Sequence, residues 1–300
     1  MYTYKIIMII GVLIMKKLNL QILIDGVQDM PLIPDRINKI LKLVEDPDST
    51  VADVELEILN DQSLTTKILR LANSTYYGYA RKISTVSGAT VLLGFQAIKS
   101  IVIASAVSEF LIAELPGGYR MEKYDLWNQS QTCAIISRHI AKEIKYKNPE
   151  QAYIAGLLRD IGKTILNYYV AKEYETILNK VENEGLSFLH AEETILGFNH
   201  GDVGGKIAKK WNLPKELVES IQYHHNPKIC ESNTKLISIV HLADTMTMMM
   251  GVGLGVDGLA YNFSESALKT LNLTQNDVEY LYATSMEFLY DKESFSIANI

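Results

Sequence analysis

With two cysteines in 300 residues, the chain has no basis for a disulfide scaffold. Cys133 and Cys230 lie far apart, match no C-x-x-C spacing and sit among helix-forming residues, so both read as small buried hydrophobes in a reducing compartment. Basic residues are also short: 29 Lys and Arg against 35 Asp and Glu leave a formal net charge of −6. An acidic chain without a dense Lys/Arg run is a poor partner for nucleic acid, whose phosphates demand a basic face. Long apolar runs are missing too. Ile6–Met15 is about half of the roughly 20 residues that a membrane-spanning helix needs, and no small-x-small cleavage site follows it. Residues 1–18 therefore read as a flexible extension, with Met15 as the expected start of translation, and the chain as a cytoplasmic protein with no membrane partner. Sustained period-two alternation and internal repeats are absent as well, which argues against hairpin-built and repeat architectures.

What is present is a helical pattern. Hydrophobic content of 48% with 21% charged residues is that of an ordinary globular protein, and the length suffices for one large domain or two lobes. Ile33, Ile37, Ile40, Leu41 and Val44 share a helical face, with Pro34 suited to a first turn. Asp46-Pro47-Asp48-Ser49 stops that helix, and Thr50 with Asp53 forms a capping-box pattern before Val51, Val54 and Ile58. Ser63 opens a third helix through Leu64, Ile68 and Leu71, with Asn73 capping its end. From Val86 to Leu111 apolar residues recur at three and four through Leu93, Ala97, Ile101 and Ser105. Leu115-Pro116-Gly117-Gly118 marks a boundary between a lobe at 19–115 and a second at 119–290. Helices are then expected over Asp125–Ile144, Pro149–Leu158, Thr164–Val181, Ser187–Leu196, Asp202–Trp211, Pro214–His224 and Thr234–Met250, an all-α chain of two helical lobes. Gly251-x-Gly253-x-Gly255 follows a helix rather than a strand and is no dinucleotide fingerprint. The Met246, Met248, Met249 and Met250 cluster reads as adaptable core, and Tyr76 and Tyr77 as packing between the lobes.

The chemistry-bearing stretch is Leu157-Leu158-Arg159-Asp160-Ile161-Gly162-Lys163. It resembles the LLHDIGK segment of the HD phosphohydrolase superfamily, with arginine in place of a metal-binding histidine. A guanidinium has five donors and no lone pair to offer, so Arg159 cannot ligate a metal. Trp127-Asn128-Gln129-Ser130 resembles that superfamily's W-x-H-S with Gln129 at the histidine position. More specifically, Leu71–Gly78, Arg81–Ser84, Leu92–Gly94, Gly197–Gly204, Trp211–Pro214 and Tyr223–Pro227 follow, in order, the pattern of the HDOD family, a catalytically degenerate bacterial branch. The resemblance covers roughly residues 20 to 290 and implies an HD-like helical bundle in the second lobe.

By that resemblance the metal-site positions are Gln129, Arg159, Asp160, His200, His224, His225 and Asp244, of which five of the seven keep a ligand type. Catalytic residues are expected to be none and cofactors none, with a single Fe, Mn or Zn ion on Asp160, His200, His224, His225 and Asp244 as the alternative. Lys163 matches a lysine that holds substrate phosphate in active relatives; a solvent-exposed lysine is an equal reading. His139, His190 and His241 lack motif support and read as structural. Read without the resemblance, Asp160 is a carboxylate salt-bridged to a neighbouring arginine. Arg159 is accordingly expected to replace a metal as the charge that offsets Asp160 against Asp244. The expectation is a non-catalytic HDOD signalling module acting through contacts with signalling proteins, its cleft available to a small ligand. The rivals are a metal-dependent phosphohydrolase or cyclic-dinucleotide phosphodiesterase with a rearranged site, and a nucleotide sensor that binds without turnover.

Overall fold

The structure, a computed structural model, describes residues 20–26, 35–73, 82–116, 119–170, 173–253 and 263–290. The expectations for residues 1–18, for Ile33 and Pro34, for Tyr76 and Tyr77, for Gly117-Gly118 and for Gly255 lie outside these residues. Among the described residues the architecture is entirely helical, with one isolated antiparallel bridge between Leu115 and Met121. None of its helices is long and apolar enough to cross a membrane.

The first half comprises α1 (Leu20–Gly26), α2 (Asp35–Glu45), α3 (Val51–Leu59), α4 (Gln62–Ala72), α5 (Val86–Leu93) and α6 (Phe95–Leu111). Thr50 Oγ1 accepts from the Asp53 amide while the Asp53 carboxylate accepts from that of Thr50, the reciprocal box expected of this spacing. Helix α4 opens one residue before Ser63, because Asp61 accepts from the Leu64 amide and serves as the cap. Asn73 closes it and reaches further: its side chain donates to the carbonyls of Leu69 and Ile83 and accepts from the Ile83 amide. The apolar run from Val86 to Leu111 is not one helix. Gly94, at φ +82°, breaks it into α5 and α6 in a conformation that glycine alone adopts cheaply.

The second half holds α7 (Asp125–Glu143), α8 (Pro149–Leu158), α9 (Ile161–Tyr169), α10 (Tyr174–Glu184), α11 (Phe188–Leu196), α12 (His200–Lys210), α13 (Lys215–Tyr223), a 3-10 turn (Pro227–Ile229), α14 (Thr234–Met249), α15 (Glu265–Leu271) and α16 (Gln275–Tyr290). The helix expected over Thr164–Val181 is two. Tyr168, Tyr169 and Val170 form a run of poor helix formers, and Val170 leaves helical geometry at φ −123° to bury itself completely. Helix α6 packs on α2 and α4 on one side and on α8 and α9 on the other. One continuous apolar core, from Leu23 to Leu281, therefore runs through both predicted lobes. Burial of this kind contributes about 25 cal/mol for each Å² of apolar surface, so the halves stabilise one another.

Backbone contact between α9 and α12 positions the site. A Cβ on Gly162 would lie 2.0 Å from the His200 carbonyl oxygen and 2.7 Å from the Gly204 nitrogen. Only glycine lets the start of α9 approach α12 this closely. Asn199 and Asp202 form a second capping box, which begins α12 at His200 rather than at the expected Asp202.

Candidate metal site

Arg159 and Asp160 occupy the turn between α8 and α9, and both are buried. Arg159 Nε donates to Asp244 Oδ1 at 2.5 Å, its Nη1 donates to the Gly156 carbonyl at 3.2 Å, and its Nη2 lies 3.2 Å from Asp160 Oδ2. The guanidinium thus stands between the two carboxylates. Burial opposes its charge, but Asp244 and the other nearby anions outweigh burial and raise its pKa further. Lys163 Nζ donates to Asp160 Oδ2 at 3.2 Å and lies 5.6 Å from the centre of the Tyr119 ring. The lysine is buried, so the reading of a solvent-exposed residue does not hold. Packing of α9 against α12 and the Tyr119 segment encloses it.

The other Asp160 oxygen faces the histidines. Oδ1 lies 3.3 Å from His200 Nε2 and 3.6 Å from His224 Nε2, without hydrogen-bond alignment to either. Burial would raise the Asp160 pKa, yet the charges of Lys163 and Arg159 hold the carboxyl well below the usual carboxylate range. His224 Nδ1 bonds to the Ile221 carbonyl at 2.8 Å, which leaves Nε2 as the atom presented to Asp160. His200 Nε2 and His225 Nε2 are 2.8 Å apart, and His225 Nδ1 lies 4.0 Å from Asp244 Oδ2.

Opposite protonation preferences suit that histidine pair. Burial works against a charged His200, but the Glu192 charge, the nearby Asp160 carboxylate and the hydrogen bond with Glu192 prevail and push its pKa up to about 10. Burial and the charges of His224 and His200 hold His225 well below the usual histidine value. His200 Nε2–H then donates and His225 Nε2 accepts, and an ion bound between them would displace that proton.

One donor atom each from Asp160, His200, His224 and His225 falls within 4.8 Å of the others. Ligands at metal–donor distances near 2.1 Å in a tetrahedron lie about 3.4 Å apart, close to the Asp160–His200 and Asp160–His224 separations. Asp160 Oδ1 and His224 Nε2 are also buried without an aligned hydrogen-bond partner. The set fits one divalent transition-metal ion, with Arg159 holding Asp244 aside. Gln129 is not among these four donors: its amide nitrogen donates to Met248 Sδ, one helical turn beyond Asp244, and to the Gly253 carbonyl beyond the helix end. His241 Nδ1 bonds to the His224 carbonyl and its Nε2 accepts from the Ser264 amide, while His139 bonds to Thr284. His190 is exposed, beside Glu193. All three stand outside the donor set.

The model of the HDOD domain matches residues 30–227. The chain belongs to the HDOD family. A crystal structure of an HDOD domain protein of unknown function from Geobacter sulfurreducens is 28% identical, with a TM-score of 0.71, covering 89% of this chain and 87% of that one. A Shewanella amazonensis SB2B protein provisionally named a phosphohydrolase is 27% identical, with a TM-score of 0.69, covering 88% of this chain and 93% of that one. An uncharacterised protein of Treponema pallidum (strain Nichols) is 27% identical over 73% of this HDOD chain, which spans 42% of that relative's length.

Sequence reading alone passed over Glu192 and Tyr119. Glu192 Oε2 accepts from the His200 backbone amide at 3.0 Å and from His200 Nδ1 at 2.8 Å, and Oε1 accepts from the Tyr119 hydroxyl. Glu192 differs from its exposed neighbour Glu193 only in the side of α11 it occupies.

Proposed function

We propose that this HDOD protein is a non-catalytic regulatory module that acts through contacts with signalling proteins, its cleft holding one divalent metal ion at most. The carrying observation is the Arg159 guanidinium set between Asp160 and Asp244. Two-metal hydrolysis stabilises the attacking and leaving oxygens between two cations. A guanidinium supplies charge there but has no vacant coordination position and cannot activate a bound water as a metal does. Lys163 supports the same reading: it is engaged with Asp160 beneath Tyr119 rather than open to a substrate phosphate. The four converging donors favour one Fe, Mn or Zn ion over an ion-free cleft. Bound there, an ion supplies a fixed positive charge that ties α9, α12 and α13 together.

The rival reading is the phosphohydrolase suggested by the name of the Shewanella protein. The test is hydrolysis of cyclic dinucleotides and nucleoside phosphates by the purified chain with Mn, Fe(II) or Zn, beside an Asp160→Ala sample. Equal, background rates are expected. Metal-dependent turnover that Asp160→Ala abolishes would overturn the proposal. Affinity capture on the wild-type chain should retain a signalling kinase or cyclase.

A further inference from the structure

Glu192 is a fully buried carboxylate, and one of its oxygens is given over to His200. It accepts two hydrogen bonds from His200, and its second oxygen takes the Tyr119 hydroxyl. Capping α12 does not require it, since Asn199 and Asp202 already form a capping box there. Burying a carboxylate is costly unless it is paired, and Glu192 is paired with the His200 imidazole. What the pairing accomplishes is orientation. With Nδ1–H held by Glu192, the ring presents Nε2 to the point shared with Asp160 Oδ1, His224 and His225.

Tyr119 extends the arrangement. It lies between the bridged residues Leu115 and Met121, in the connector between α6 and α7, and its ring packs on Tyr174 and Phe188. The connector therefore holds Glu192 as Glu192 holds His200.

Resting on the single-ion reading above, we propose that Glu192 is the positioning residue of the donor set: it fixes the His200 ring with Nδ1–H outward and Nε2 inward for one divalent transition-metal ion. Carboxylates that orient a ligating imidazole typically contribute 10–100-fold to metal affinity. Glu192→Gln keeps the size and one acceptor but loses the charge.

Co²⁺ titration of the full chain tests this, following the visible bands of the bound ion and its stoichiometry. Nitrogen NMR of the metal-free protein reads the His200 ring. Wild type should bind one Co²⁺ per chain, Glu192→Gln should bind it about 10–100-fold more weakly, and Glu193→Gln should match wild type. In the metal-free wild type, His200 Nδ1 should carry a proton. Equal Co²⁺ affinity of wild type and Glu192→Gln would reduce Glu192 to a structural role and overturn the proposal while leaving the single-ion reading intact. A wild type that binds no Co²⁺ would overturn both. Should Glu192→Gln fail to fold, the ring spectrum of the wild type decides: a bare Nδ1 on His200 refutes the proposal.

Discussion

Replacing Arg159 with methionine removes its charge while keeping most of its volume, so the loss is electrostatic rather than a cavity effect. Arg159 is fully buried, and the side chains of Asp160 and Asp244 are only 2% and 6% exposed. Removing one partner of a buried pair leaves a charge that water cannot reach, at a cost of about 3–5 kcal/mol. For a domain of this size each kcal/mol moves the melting temperature by about 2–4 °C, so the drop should be roughly 6–20 °C. The contacts also say which second substitution should restore stability. Asp244 receives the short Nε hydrogen bond, whereas Asp160 keeps Lys163 at 3.2 Å after Arg159 is gone. Asp244→Asn added to Arg159→Met should therefore recover most of the loss, and Asp160→Asn less. Urea and thermal unfolding of the four proteins in chelator would measure this. An Arg159→Met protein within about 1 kcal/mol of wild type, a change ordinary for a surface site, would refute the account of the guanidinium as the site's resident charge.

Gly162→Ala should destabilise strongly or prevent folding, because the new methyl meets the His200 carbonyl at 2.0 Å; soluble yield and melting temperature report it. Stability should fall on both sides of neutrality. The depressed Asp160 value makes its contribution full above the unfolded value near 3.8 and lost as pH falls through the lower folded value. The raised His200 value makes its contribution full below about 6.5 and lost as pH rises toward about 10, so urea midpoints should decline from pH 7 to 10 in wild type and not in His200→Asn. Gln129→His with Arg159→His should raise Mn²⁺ stoichiometry above that of wild type, measured by metal analysis after dialysis; an unchanged value would mean that residue 129 stays turned toward Met248 and Gly253.

Residue types and short spacings determined a good deal of this protein. The helical period, the Thr50–Asp53 box and the Asn73 cap were legible because each depends on residues within one or two turns of one another. So was the inability of Arg159 to ligate a metal, which is a property of the guanidinium wherever it stands. Its place between Asp160 and Asp244 was also foreseeable, once the resemblance had brought those positions together. Packing decided the rest. Nothing local separates Glu192 from Glu193, yet one lies inside α11 against His200 while the other meets solvent and accepts from Asn199. Gln129 stands at a motif position, but only the fold shows its amide nitrogen donating to Met248 and the Gly253 carbonyl. The Val170 break and the Gly162–His200 contact likewise arise between segments far apart in sequence or from which side chain the core accepts. A side chain's type is set where it is encoded, but its partners, its dielectric surroundings and hence its charge are set by the faces that close over it.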